Sequence, residues 1–305
     1  MNLPIAATIN ATSQLTIDSP QVVAVMSGAK TDQQLIDTWL HDRPAKTLKT
    51  YQECIDQFWG YHAYKSLRHV TVEDVQAFIT HLSQKGLSDA TIRQRTNTIK
   101  SLFSYGTKLG YFQINITTVI KIRKAPNSFA KRTLSREDIT SMLLAHCSDR
   151  PRYQLRNSAF IKFLYATGCR ISEACNVTWN DLQLRSSGQA QALITGKGNK
   201  ERTVLLPLNL YEALQQLKGT ATPSDRVFSI AERQGHNIVK VAAAAAGLSE
   251  DISAHWLRHS NATHAADAGC PIHVIRDNHG HSSLAVTSGY ISANPDNGTS
   301  KYLGL

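Results

Sequence analysis

Ala190-Gln191-Ala192-Leu193-Ile194-Thr195 and Arg202-Thr203-Val204-Leu205-Leu206, joined through Gly196-Lys197-Gly198-Asn199-Lys200-Glu201, read as two short strands about a solvated hairpin turn. Elsewhere the apolar residues recur at helical spacing, so the hairpin marks the one small sheet of a mainly α protein. Upstream, Thr133-Leu134-Ser135-Arg136-Glu137-Asp138 has the form of a capped helix start, with acidic residues in the first turn. The five-alanine run 242–246 reads as a close-packed helix of high intrinsic propensity.

A first helical region begins at Thr31. Leu35, Ile36 and Trp39 repeat, then Tyr51, Cys54, Ile55 and Phe58, then Val75, Phe78, Ile79 and Leu82. Thr47, Thr71 and Ser88 are the expected N-caps of the second, third and fourth helices. The fourth spans about residues 89–109, with Ile92, Ile99, Leu102, Phe103 and Tyr105 inward. Arg93, Arg95, Lys100 and Lys108 on its other face are open to phosphates or simply to solvent. Lys121, Arg123, Lys124, Lys131 and Arg132 flank Ala125-Pro126-Asn127-Ser128, a composition suited to an extended cationic strap. Residues 1–29 are nearly uncharged and aperiodic, and read as a flexible arm.

The 305 residues provide for about two domains. A net charge of +10 and a pI near 9.4 favour a polyanionic partner, since each neutralised phosphate releases counterions. The five cysteines are scattered, odd in number and lack Cys-x-x-Cys spacing, as reduced intracellular thiols do. No apolar run approaches the roughly 20 residues of a membrane helix, and no signal peptide opens the chain, so a cytoplasmic location on the nucleoid and no membrane partner are expected.

Arg170, Lys197, His255, Arg258, His281 and Tyr290 together suit one reaction, attack of a tyrosine on a DNA phosphodiester. Charge grows on the non-bridging oxygens toward the pentavalent transition state, and preorganised cationic donors lower that barrier. An arginine fork grips two phosphate oxygens at once. Lysine is a compact proton donor whose pKa shifts readily, which fits Lys197 as general acid for a departing deoxyribose oxygen. An aryl oxygen with a pKa of about 10 attacks and later leaves, so the bond energy is kept and no ATP is needed. Taken singly, each residue has an ordinary reading: Tyr290 as a packing residue, Arg170 and Glu173 as a helix-surface pair, Lys197 as part of a wet turn. His255 and His259, four apart, share a helix face and could bind zinc, but the Glu of a His-Glu-x-x-His motif is missing, and no metal or other cofactor is expected.

Four stretches, in order, carry a resemblance: Ala166-Thr167-Gly168-Cys169-Arg170-Ile171-Ser172-Glu173-Ala174, Thr195-Gly196-Lys197-Gly198-Asn199-Lys200-Glu201-Arg202, His255-Trp256-Leu257-Arg258-His259-Ser260, and Gly280-His281-Ser282-Ser283 with Tyr290 nine residues after His281. The chain resembles the tyrosine recombinase (phage integrase) family, most closely its simpler Xer-like members. That resemblance implies Arg170, Arg258, Lys197, His255, His281 and Tyr290 as catalytic residues and Glu173 as their acidic support. It also implies an N-terminal helical core-binding (SAM-like) domain over residues 30–120, a basic linker over 121–132, and a C-terminal tyrosine-recombinase catalytic domain with its tail over 133–305. Arg93, Gln94, Asn97 and Lys100, with the linker cations, are the candidate DNA contacts. The implied partners are double-stranded DNA with an inverted-repeat site, three further copies in a tetramer, and an accessory protein where one is required. A C-terminal tail bearing Tyr302, Leu303 and Leu305 would dock on a neighbouring copy. Two departures stand out: His279 occupies a position where the family has an apolar residue, and Gly289 precedes the nucleophile in place of a larger residue. A type IB topoisomerase, or a silent DNA-binding accessory protein, are the alternative readings.

Overall fold

The computed structural model describes residues 28–122, 132–145, 150–196 and 198–281. The chain divides into two compact units, Met1–Ala125 and Pro126–Leu305.

In the first unit four helices, α1 (Asp32–Leu40), α2 (Ala45–Tyr61), α3 (Val72–Gln84) and α4 (Asp89–Lys108), enclose one core. Their starts are written locally. Thr31 and Thr71 form capping boxes with Gln34 and Asp74, and Ser88 accepts from the Thr91 amide. Helix α2 departs from the expected cap: it begins at Ala45 behind Pro44 rather than at Thr47. Pro44 is itself the N-cap, with φ −55° and ψ 141°, and its carbonyl accepts the Leu48 N–H at 2.9 Å, so the first turn closes ahead of Thr47. Leu35, Ile55, Phe58, Val75, Phe78, Leu82, Ile99 and Leu102 have essentially no exposure, whereas Ile92 and Tyr105 line the core only in part.

The second unit is helical around a three-stranded antiparallel sheet of order β1-β2-β3, formed by Leu182–Leu184, Ala190–Thr195 and Glu201–Leu206. The hairpin is thus present, and a third strand that alternation did not reveal joins its edge; three residues are too few to display a period. Register pairs Thr195 with Glu201 and Ala190 with Leu206, which buries Ala190, Ala192, Ile194, Val204 and Leu206 on one face. Helices α5 (Arg136–Leu144), α6 (Pro151–Thr167), α7 (Ile171–Asn176), α8 (Leu208–Lys218), α9 (Glu232–Ala245), α10 (Ala254–Asp267) and α11 (Ile272–His279) complete it. Ser135 and Asp138 form the anticipated capping box of α5, and Ala242 and Ala243 are core residues of α9. Helix α6 runs through the middle of the unit, with Phe160, Ile161, Phe163 and Leu164 fully buried. Among the described residues no helix is long and apolar enough to cross a membrane.

Candidate active site

The site gathers at the C-terminal end of α6. There Gly168 adopts φ +60° and its N–H bonds the Leu164 carbonyl 3.0 Å away, closing the helix in a left-handed cap. Two residues later Arg170 becomes the N-cap of α7, and the Glu173 carboxylate accepts its backbone N–H at 2.9 Å and its guanidinium at 2.8 Å. The pair is not an ordinary exposed helix-surface one: the Glu173 side chain is only 4% exposed and takes a second guanidinium, that of Arg202, at 2.6 Å. Burial alone would raise the Glu173 pKa, but the hydrogen bonds and charges of Arg202 and Arg170 outweigh it and hold the carboxyl ionised.

Arg202 went unnoticed in sequence beyond its place in the hairpin motif. It stands second in β3, and its Nε also donates to the Asn278 carbonyl at 2.7 Å, so one side chain ties the hairpin, α7 and the end of α11 together. Gly196, at the other end of the turn, lies against the same pair: a Cβ there would sit 3.2 Å from Glu173 Oε1 and 3.3 Å from Arg202 Nη1.

Arg258 of α10 is 2% exposed, yet it carries a guanidinium. Nη1 donates to the Gly168 carbonyl, and Nη2 to the His279 carbonyl at 2.7 Å with His281 Nε2 at 2.8 Å. His281 reaches this point because α11 ends in a Schellman turn. Gly280 takes φ +61°, its N–H bonds Asp277, and the His281 N–H bonds Arg276. His279, the residue that departs from the family pattern, lies beside His281 with ring centroids 5.3 Å apart but takes another partner: it has no exposure, and its Nε2 lies 2.6 Å from Asn261 Oδ1. Asn261 in turn donates to the Tyr165 carbonyl at 2.8 Å. His279 thus fills an apolar residue's space by satisfying its polar edge within α6 and α10.

His255 and His259 do share a face of α10, with rings 4.2 Å apart. Among the described residues no cluster of three metal-binding side chains forms. Burial, and then the cations, lower all four histidines of the site: His255 by Arg258, Arg132 and Arg170, His281 to about 4, His259 to about 3 and His279 to about 2. The charges acting on His255 and His281 show that Arg170, Arg258, Arg202 and, for His255, the linker residue Arg132 are neighbours in one field. All four rings are neutral at pH 7 in the free protein.

This has an expected consequence for stability. An unfolded histidine takes up its proton near pH 6.5, whereas folded His259 and His279 resist protonation until about 3 and 2. Below pH 6.5 the unfolded chain therefore binds more protons, and stability falls as pH falls. Each fully buried ring contributes about 1.4 kcal/mol per pH unit in that window, roughly 2 kcal/mol between pH 7 and 5. Urea titrations of the intact protein at pH 7, 6 and 5 should show the unfolding midpoint of the second unit moving down steeply; an unchanged midpoint would contradict neutral buried rings.

Of the residues expected at the site, Arg170, Glu173, His255, Arg258 and His281 come together here, and Lys197 and Tyr290 lie outside the described residues. So do Gly289, Arg123, Lys124, Lys131, Tyr302, Leu303 and Leu305. In the first unit Arg93 and Asn97 are exposed and Gln94 is half-buried; Arg93 and Lys121 line one groove, with Thr80 and Ser83 beside them. Lys100 donates to the Ile120 carbonyl at 2.8 Å, and Arg95 donates to the Gln57 side chain.

A cluster of arginines, histidines and one buried carboxylate concentrates preorganised donors and positive charge at one place, the arrangement that stabilising an anionic transition state requires. Residues 132–297 match the phage integrase family and residues 38–109 its N-terminal SAM-like domain. A tyrosine recombinase XerC of Thermodesulfovibrio yellowstonii is 30% identical over 263 residues, spanning 80% of this chain and 84% of that protein. The fold is shared with the XerH site-specific recombinase bound to a palindromic difH substrate after cleavage (TM-score 0.70, 22% identity, 90% of this chain and 84% of that one). It is shared too with a λ integrase tetramer bound to a Holliday junction (TM-score 0.65, 16% identity, 87% and 78%). The chain belongs to the phage integrase family, the tyrosine recombinases, enzymes that break and rejoin DNA strands.

Proposed function

We propose that Tyr290 is the nucleophile of a site-specific recombination in which each cleavage forms a 3′-phosphotyrosyl bond and frees a 5′-hydroxyl. That hydroxyl attacks the partner strand, and two sequential exchanges pass through a Holliday junction. Phosphodiester energy is kept in the aryl ester, so neither ATP nor a metal ion enters the balance. Arg170, whose side chain is 44% exposed, grips the non-bridging oxygens, held in place by Glu173. Arg258, sealed behind it, acts by its field and by fixing His281 as a donor at the rim. His255 supplies the second neutral donor and Lys197 protonates the departing oxygen. The observation that carries this reading is Arg258, a fully buried guanidinium aimed between Gly168 and His281, within the field that also contains Arg170.

Residues 30–120 form the core-binding domain and 133–305 the catalytic domain with its tail, joined by the basic 121–132 strap, and each contributes to holding the duplex. The Arg93, Gln94, Asn97 and Lys121 surface of the first unit faces that duplex, and Lys100 steadies it from within. The substrate is an inverted repeat, which a pair of copies reads symmetrically, and two such pairs form the tetramer. The enzyme works in the cytoplasm on the nucleoid.

The test is covalent trapping. Incubating the protein with fragmented genomic DNA and denaturing with SDS should leave adducts at one short inverted repeat, and Tyr290→Phe should leave none. Adducts without sequence preference would replace this reading with a type IB topoisomerase. Tight binding with no adduct would point to a silent DNA-binding protein or to an accessory protein that licenses cleavage.

A further inference from the structure

At the opposite end of α6 from the active site, a whole 17-residue helix or about 25 Å away, the second unit has a cavity of about 480 Å³. Arg152 and Arg156 on the first turns of α6, Lys218 at the end of α8, and Arg226 on the loop before α9 line it. Among the described residues no carboxylate lies within ion-pair distance of any of these four, so like charges share one pocket without neutralisation. Its floor is apolar, made by Leu217, Val227 and Phe228.

The pocket is built rather than incidental. The Val227 N–H bonds the Val177 carbonyl at 2.9 Å, and the Trp179 N–H bonds that of Asp225 at 3.1 Å, which pins the loop to the end of α7. Ser229, on the rim, holds φ +47°, an uncommon conformation for a side-chain-bearing residue, and its hydroxyl donates to the Arg226 carbonyl at 3.0 Å. Arg156 lies 4.8 Å over the Tyr153 ring and donates Nε and Nη2 to Asn157 Oδ1 at 3.2 and 3.0 Å, contacts that orient its guanidinium and hold its charge at the pocket.

We infer that this pocket binds a nucleoside polyphosphate, with phosphates among Arg152, Arg156, Lys218 and Arg226 and the base against the Phe228 floor. Guanidinium forks match phosphate oxygens in pairs, and the apolar floor leaves room for a flat ring that pyrophosphate alone would not fill. The volume falls in the range of pockets that take small ligands, which run from about 300 to 1,000 Å³. Binding here would be separate from the DNA-cleaving centre and would give the enzyme a ligand-responsive site that its chemistry does not require.

Calorimetric titration of the full chain with ATP, pyrophosphate and adenosine tests this. One saturable ATP site is expected, tighter than for either fragment. Arg226→Gln and Lys218→Gln should each weaken it about tenfold or more, the scale of a charge-assisted hydrogen bond, with melting temperature unchanged. Arg226 is exposed, so its replacement leaves the core intact. A non-specific DNA duplex should not displace the ATP. Absence of saturation, an ATP affinity unaltered in the Arg226→Gln/Lys218→Gln protein, or equal affinity for pyrophosphate would overturn the assignment. So would displacement by duplex together with an equal loss of duplex binding in that variant, which would make the pocket a contact for the DNA backbone.

Discussion

Arg258→Ala is expected to lower covalent adduct formation by about 10²–10³-fold, the scale of losing one preorganised electrostatic contribution to a developing oxyanion, because its field and its hold on His281 go together, while changing stability little. Two opposing effects set the second half of that expectation. The side chain's removal strands the carbonyls of Gly168 and His279, about 1–3 kcal/mol for each buried acceptor left unsatisfied. It also releases a guanidinium that is 2% exposed, and holding an ion out of water costs several kcal/mol. The difference should stay within about 2 kcal/mol. Arg258→Lys should behave almost as badly in cleavage, because one ammonium cannot span the Gly168 carbonyl, the His279 carbonyl and His281 Nε2 at once. SDS-trapped adduct yields and urea midpoints on the same preparations decide it. A collapse of stability with proportionate loss of activity would make Arg258 a packing residue instead of a field source.

Gly168→Ala carries the largest expected loss of stability. The residue sits at φ +60°, where a side chain costs about 1–2 kcal/mol. A Cβ would also stand 2.5 Å from His279 Nε2 and 2.7 Å from Asn261 Oδ1, so the 2.6 Å contact between those two must break. With buried polar edges stranded, the total should reach about 3–5 kcal/mol. Activity should vanish as well, since the same peptide holds Arg258 and leads into Arg170. Gly269→Ala is the control: φ is +82° there, yet nothing lies within 4 Å of the added carbon, so only the backbone cost applies. Equal urea midpoints for the two variants would dispose of the steric argument.

Much of this was legible along the chain because the causes are local. Thr31, Thr71, Ser88 and Ser135 cap helices through contacts three residues away, and the hairpin turn is set by its own glycines and Asn199. Family motifs marked Arg170, Glu173, His255, Arg258 and His281, and the described geometry brings these together. Apart from the α2 start at Pro44, what a one-dimensional reading missed depends on pairing with another segment. Arg202 meets Glu173 across 29 residues, Asn261 meets His279 across 18, and β1 is recognisable only by its pairing with β2.

By itself the sequence determined the helical character of both units, the small sheet, the cationic balance and, through the family motifs, which residues the described geometry gathers at one place, all properties of residue type and short spacing. Only the tertiary structure decided that Glu173 is a buried anchor for two arginines, that His279 turns inward while His281 faces Arg258, and that Arg258 lies sealed from water. The reason is physical: burial, charge pairing and pKa depend on what other segments bring within a few ångströms, and the Schellman turn at Gly280 gives two histidines with touching rings different partners, Asn261 for His279 and Arg258 for His281.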